Sequence, residues 1–140
     1  MLSSSLQELK DASISFITNV VPAIPTNSFQ MGIYWFDGED VLHELQPPTT
    51  SATVLEDAIN SITTDISNDP STDLYGAVIK STQVAENLIT NAEAQDVFGA
   101  ASIVIFTDGT DQAARFTQQE ALTAVTNADE NISFFTIGLG

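Results

Sequence analysis

The chain has 140 residues, 43% of them apolar, and sets three basic residues (Lys10, Lys80 and Arg115) against nineteen acidic ones, a formal charge of −16. That length suits one domain with one core, and the apolar fraction excludes a disordered chain. So few cations exclude a nucleic-acid binder, which must oppose clustered Lys and Arg to phosphate. The lack of cysteine excludes disulfides, cysteine-based zinc sites and thiol nucleophiles. The acidity reads first as a solvated, self-repelling surface, and second as attraction for metal ions or basic partners. The opening MLSSSLQELK lacks the charged-then-apolar pattern of a signal peptide. No apolar run reaches the ~18–20 residues of a membrane helix, so no membrane insertion is expected.

In chain order, residues 5–20 are predicted to form an amphipathic helix. Ser5 and Glu8 have capping-box spacing, and Leu6, Leu9, Ala12, Phe16, Ile17 and Val20 recur at helical intervals. Pro22 and Pro25 end it. FQMGIYWFDG (29–38) reads as a strand apolar on both faces, as when helices cover each side. Asp37-Gly38 is a turn signal, VLHELQ (41–46) a second strand pairing antiparallel with the first, and Pro47-Pro48 its stop.

A second capping box, Thr53 to Glu56, opens a helix carrying Leu55, Ile59, Ile62 and Ile66. The polar loop SNDPSTD (67–73) precedes a third helix reaching about residue 92, with Leu74, Ala77, Val78, Ser81, Ala85, Leu88 and Ile89 on its apolar face. Residues 102–107 are a continuous apolar strand. Thr117 to Glu120 caps a helix with Ala121, Leu122 and Val125, and ISFFTIGLG (132–140) is a last buried-type strand. Helices alternating with apolar strands predict an α/β domain with a mostly parallel sheet. In such sheets ligands gather at the carboxyl ends of the strands, here after Phe36, Thr107 and Ile137.

Most catalytic chemistry lacks its residues. There is no G-x-S-x-G elbow, no phosphate-cradling glycine loop, and one histidine, His43, expected on the surface of a peripheral strand. Asp69, Ser71 and Asp73 alternate as in a calcium loop, but Leu74 and Lys80 stand where an EF-hand needs Gly and Glu. Two loop features remain, STDLYG before a helix and IVIFTDG after a strand. Thr72 is placed to cap the following helix and Asp108 to open a turn, unless both serve a ligand.

The ordered set of segments resembles the von Willebrand factor A domain, a Rossmann-like three-layer α/β/α fold with a mostly parallel sheet and one antiparallel edge strand. LQELKDASISFI is similar to that family's first helix, QMGIYWFDG to its second strand, STDLYGAVIKS to its threonine loop and following helix, SIVIFTDG to its fourth strand and ISFFTIGLG to its fifth. The match spans nearly all of residues 1–140, read as one partial domain. The resemblance implies a non-enzymatic interaction or adhesion domain. Its metal-ion-dependent adhesion site would hold Mg²⁺ or Mn²⁺ for a protein partner presenting an acidic residue. Thr72 and Asp108 match its second and third loops, with Asp73, Asp111, Ser3 and Ser5 as accessory candidates.

The chain departs from the family at both ends. No strand or D-x-S-x-S precedes the first helix, and no helix-strand-helix follows IGLG. The expectation is a chain beginning downstream of its own metal motif, with weak metal affinity or none. The family's first strand lies centrally, between its second and fourth. Without it a gap near 10 Å should open, leaving unpaired backbone groups at ~1–3 kcal/mol each. Closure of the flanking strands, strand exchange with a partner, or homo-oligomerisation would relieve that. The rival functional reading is a metal-independent, strand-exchanged or homomeric assembly module. A remoter one is an Asp-based, metal-dependent phosphotransferase or hydrolase using Asp37, Asp108 and Asp111.

Overall fold

The structure, a computed structural model, describes residues 3–26 and 28–139, without the side chain of Ser3. Four helices and four strands follow in the order α1 (Ser3–Val20), β1 (Met31–Trp35), β2 (His43–Thr49), α2 (Ala52–Asn60), α3 (Leu74–Glu93), β3 (Ala101–Thr107), α4 (Gln118–Asn127) and β4 (Ile132–Gly138). The mixed α/β class is as expected, but the sheet is not. The strands form two separate two-stranded sheets, β1-β2 and β3-β4. The first is antiparallel and the second parallel, its strands in unbroken register from Ala101 opposite Ile132 to Thr107 opposite Gly138. A parallel pair needs a crossover connection, which α4 supplies.

Each sheet has its own core. Ile17 and Val21, at and just past the end of α1, pack with Leu55 and Ile59 of α2, and Met31 and Ile33 of β1 complete that cluster. Ala85 and Ile89 of α3 pack with Ile132 of β4, joined by Ala101 and Ile103 of β3 and Phe134 of β4. On β3 the odd positions thus face α3. The even position Phe106 meets α1 instead, its ring 6.1 Å from that of Phe16, edge to face. Alternate residues of a strand point to opposite sides, so β3 lies between two helices.

Several boundaries differ from the sequence reading. Helix α1 has begun by Ser3, so Ser5 lies inside its first turn and cannot be the cap. Helix α2 is capped by Ser51, whose side chain accepts from Val54 N–H, rather than by a Thr53–Glu56 box, and it ends at Asn60, short of Ile66. The Thr117–Glu120 box forms as expected, with both reciprocal bonds present. Pro47 and Pro48 do not stop β2, which runs through them to Thr49. Proline lacks a donor but is tolerated on an edge strand, and the register shifts on either side of Ile33 mark where pairing is irregular.

Candidate functional site

The carboxyl ends of β1 and β3 meet at the loop that leads into α3. Past β1, the Asp37 carbonyl accepts from Asp73 N–H at 2.8 Å. Past β3, Gln112 and Ala113 both donate N–H to the Thr72 carbonyl, at 2.8 and 3.0 Å. Adjacent residues of one loop therefore hold the segments that follow two strands. Arg115 reinforces the junction, its Nε donating to the Gly38 carbonyl at 2.7 Å. Gly38 must be glycine there, because a Cβ would overlap Ser71 Oγ and the Asp69 carboxylate.

Asp37 is the hub of this junction, and it is buried. Oδ1 accepts from Glu39 N–H at 2.9 Å, an Asx-type turn. Oδ2 accepts from the Ser67 hydroxyl and the N–H groups of Asn68 and Asp69, at 3.0–3.2 Å. Burial alone would raise its pKa, but donors from Glu39, Asp69, Asn68 and Ser67 outweigh it and hold the carboxyl below its ordinary value. The sequence shows the Asp-Gly turn, but not that a loop thirty residues on folds back onto its side chain.

Asp73, not Thr72, caps α3: its Oδ1 accepts from Gly76 N–H at 3.1 Å. It is almost fully buried, and burial raises its pKa despite that bond and Lys80 Nζ at 4.0 Å. Asp111 reaches the same helix end from the loop after β3, Oδ1 accepting from Tyr75 N–H and Oδ2 from Ala114 N–H, each at 3.1 Å. Two carboxylates at one helix N-terminus suit its unpaired donors and positive dipole end. Lys80 pairs with Asp40 and lies 5.1 Å from the centre of the Phe116 ring.

Of the residues matched to the adhesion-site loops, Asp108 is exposed and Thr72 half-buried, and the side chain of neither makes a hydrogen bond among the described residues. Their loops are brought together, whereas Ser5 lies near the start of α1 and the side chain of Ser3 falls outside the described residues. Mg²⁺ requires a near-octahedral oxygen set at 2.0–2.1 Å. The residues present do not fit that requirement. Asp73 and Asp111 hold helix and loop N–H groups, which leaves Thr72 and Asp108 as the side chains at hand.

Another group of metal-binding residue types lies beside the junction. Ligand atoms of Asp37, Glu39 and His43 fall within 4.8 Å of one another. His43 is not the free surface residue expected of it. Its ring stacks on Trp35, centroids 3.9 Å apart at 10°, and its enclosed Nε2 lies 3.3 Å from Glu39 Oε2. That approach suits an ion pair when the imidazole is protonated, but it is not aligned for a hydrogen bond. With both Asp37 oxygens already bonded within the fold, the cluster reads as a brace for the β1–β2 connection.

No family model and no curated protein matches this chain. Among solved structures it is similar to an uncharacterized membrane-spanning protein from Vibrio fischeri, at 16% identity and a TM-score of 0.44. The alignment covers 95% of this chain and 56% of that one. A likeness at that level carries no argument about fold or function. No helix among the described residues is long and apolar enough to cross a membrane.

Proposed function

We propose that this chain is a non-enzymatic protein-interaction domain of von Willebrand factor A type, with the finer three-layer arrangement of that family, whose recognition end is the loop junction at the carboxyl ends of β1 and β3. The observation that carries the reading is the convergence of the Thr72 loop and the post-β3 loop through two hydrogen bonds to one carbonyl. Those bonds join STDLYG to the loop that follows IVIFTDG. Where a D-x-S-x-S segment accompanies such loops, Mg²⁺ or Mn²⁺ bridges to an acidic residue of a protein partner. In this chain Thr72 and Asp108 offer two ligands, too few to hold the ion tightly.

Calorimetric titration with Mg²⁺ tests the reading. Weak binding, millimolar or absent, is expected, with any residual heat removed by Asp108→Ala. Submicromolar binding abolished by Asp108→Ala would show a complete metal centre and overturn the proposed incomplete site. Metal-dependent turnover of a phosphate ester would replace the interaction reading with an enzymatic one.

A further inference from the structure

The brace between β1 and β2 has one unsatisfied member. His43 Nε2 is shut off from solvent and has no hydrogen-bond partner among the described residues. A polar atom so placed has given up water without a replacement. Its neighbour Glu39 Oε2, at 3.3 Å, is out of line for a hydrogen bond, and no Lys or Arg among the described residues pairs with the Glu39 carboxylate. The cations nearby are engaged elsewhere, Lys80 by Asp40 and Arg115 by the Gly38 carbonyl. An imidazole lone pair and a carboxylate thus face each other without a cation to share.

We propose that Asp37, Glu39 and His43 bind one divalent transition-metal ion of the zinc class, which clamps the connection between β1 and β2. Imidazole with carboxylates is a donor set for Zn²⁺ rather than for Mg²⁺, which prefers oxygen ligands. The three ligand atoms lie within 4.8 Å of one another. Ligands held tetrahedrally at about 2.0–2.1 Å from zinc stand roughly 3.3–3.4 Å apart. The separation of His43 Nε2 and Glu39 Oε2, 3.3 Å, already has that length. Asp37 joins them through a contraction of at most about 1.5 Å. Three protein ligands leave the fourth position to water.

The fold positions two of these ligands in advance. Asp37 Oδ2 spends its acceptor capacity on the Ser67 hydroxyl and the N–H groups of Asn68 and Asp69. Oδ1 takes only Glu39 N–H and keeps a lone pair. Those donors orient the carboxylate as the outer partners of a metal ligand do. His43 pairs with Trp35 across the sheet, and stacking on the indole at 3.9 Å holds its ring. Glu39 is the ligand free to move: its side chain is 39% exposed and makes no hydrogen bond among the described residues, so it can swing aside to admit the ion. The chain charge of −16 draws cations without choosing among them, and the imidazole does the choosing. This site shares no ligand with Thr72 and Asp108, so it stands or falls apart from the adhesion-site reading.

The test titrates the chelator-treated chain with Zn²⁺ near neutral pH, reading heat by calorimetry and emission from Trp35, the single tryptophan, on which His43 stacks. One saturable ion per chain is expected, with a change in Trp35 emission that saturates along with the heat and survives excess Mg²⁺. His43→Gln and Glu39→Gln should each weaken binding at least about tenfold, the scale on which even outer partners of a metal act. Glu93→Gln, an exposed substitution at the far end of α3, should leave it unchanged. Glu39→Gln alters a partly exposed side chain with no hydrogen bond to lose, so it decides the matter if His43→Gln does not fold. No saturable Zn²⁺ binding, or displacement of Zn²⁺ by excess Mg²⁺, would overturn the proposal. Full affinity in Glu39→Gln would reduce the site to a lone histidine and overturn it too. Several equivalent ions per chain, insensitive to both variants, would show diffuse attraction to the acidic surface in its place.

Discussion

Asp73 and Asp37 are both buried, yet their protonation couples to stability in opposite senses. Asp37 has four donors, and its lowered pKa means that its contribution is present above the ordinary value of 3.8 and lost as pH falls through the folded value. Asp73 is desolvated with a single N–H donor, and its pKa is raised. Its ionised form therefore opposes folding. The term it contributes is most favourable below 3.8 and disappears as pH rises through the raised folded value. Removing the charge while keeping the cap should separate these effects. Asp73→Asn retains a good N-cap acceptor and should leave stability at pH 7 unchanged or higher, with a flatter pH profile above pH 4. Asp73→Ala removes the acceptor and should lower stability by about 0.5–2 kcal/mol. Denaturant melts of the two variants across pH check this, and a loss in Asp73→Asn as large as in Asp73→Ala would show that the charge itself stabilises the helix.

At the scale of elements, the folding signals that were legible are the ones confined to a few residues. The Thr117–Glu120 box is reciprocal within one turn and forms as read. Helix α3 and strands β3 and β4 follow from long apolar patterns. The misread boundaries depend on partners elsewhere. The Thr53–Glu56 spacing fits a capping box, yet the helix starts one residue after Ser51 and buries Leu55 and Ile59 against α1. Pro47 and Pro48 read as a stop until β2 is known to be an edge strand. Leu55 is completely buried in the core shared by α1, α2 and β1. Leu55→Ala should therefore reduce stability by about 2–5 kcal/mol. Because Leu55 belongs to one core and not the other, protection from hydrogen exchange should fall first in α1, α2 and β1. A uniform fall through α3 and β4 would mean that the two cores unfold as one unit.

For the whole molecule, the sequence makes the candidate junction visible in part. Thr72 and Asp108 stand out because each sits where an element meets a loop. The parts played by Asp37 and Asp111 are hidden, since the donors that tie them to another loop or helix are at least thirty residues away and no periodicity links them. His43 is hidden for a similar reason, its stacking on Trp35 arising only when β1 and β2 pair. The division into two sheets departs from the single mostly parallel sheet expected, because pairing depends on strands far apart in the chain. Strands β1 and β3 do not close on one another. Loop bonds at Thr72 and Asp73 tie the segments that follow them, and α1 packs residues into the first core and against Phe106.

That separation underlies the account, and residue-resolved hydrogen exchange of the chain alone measures it directly. Each inner strand has one paired and one open edge, so protected and rapidly exchanging amides should alternate along Met31–Trp35 and Ala101–Thr107. Protection of consecutive amides along both strands in a monomer would mean that β1 and β3 pair directly, and would contradict it.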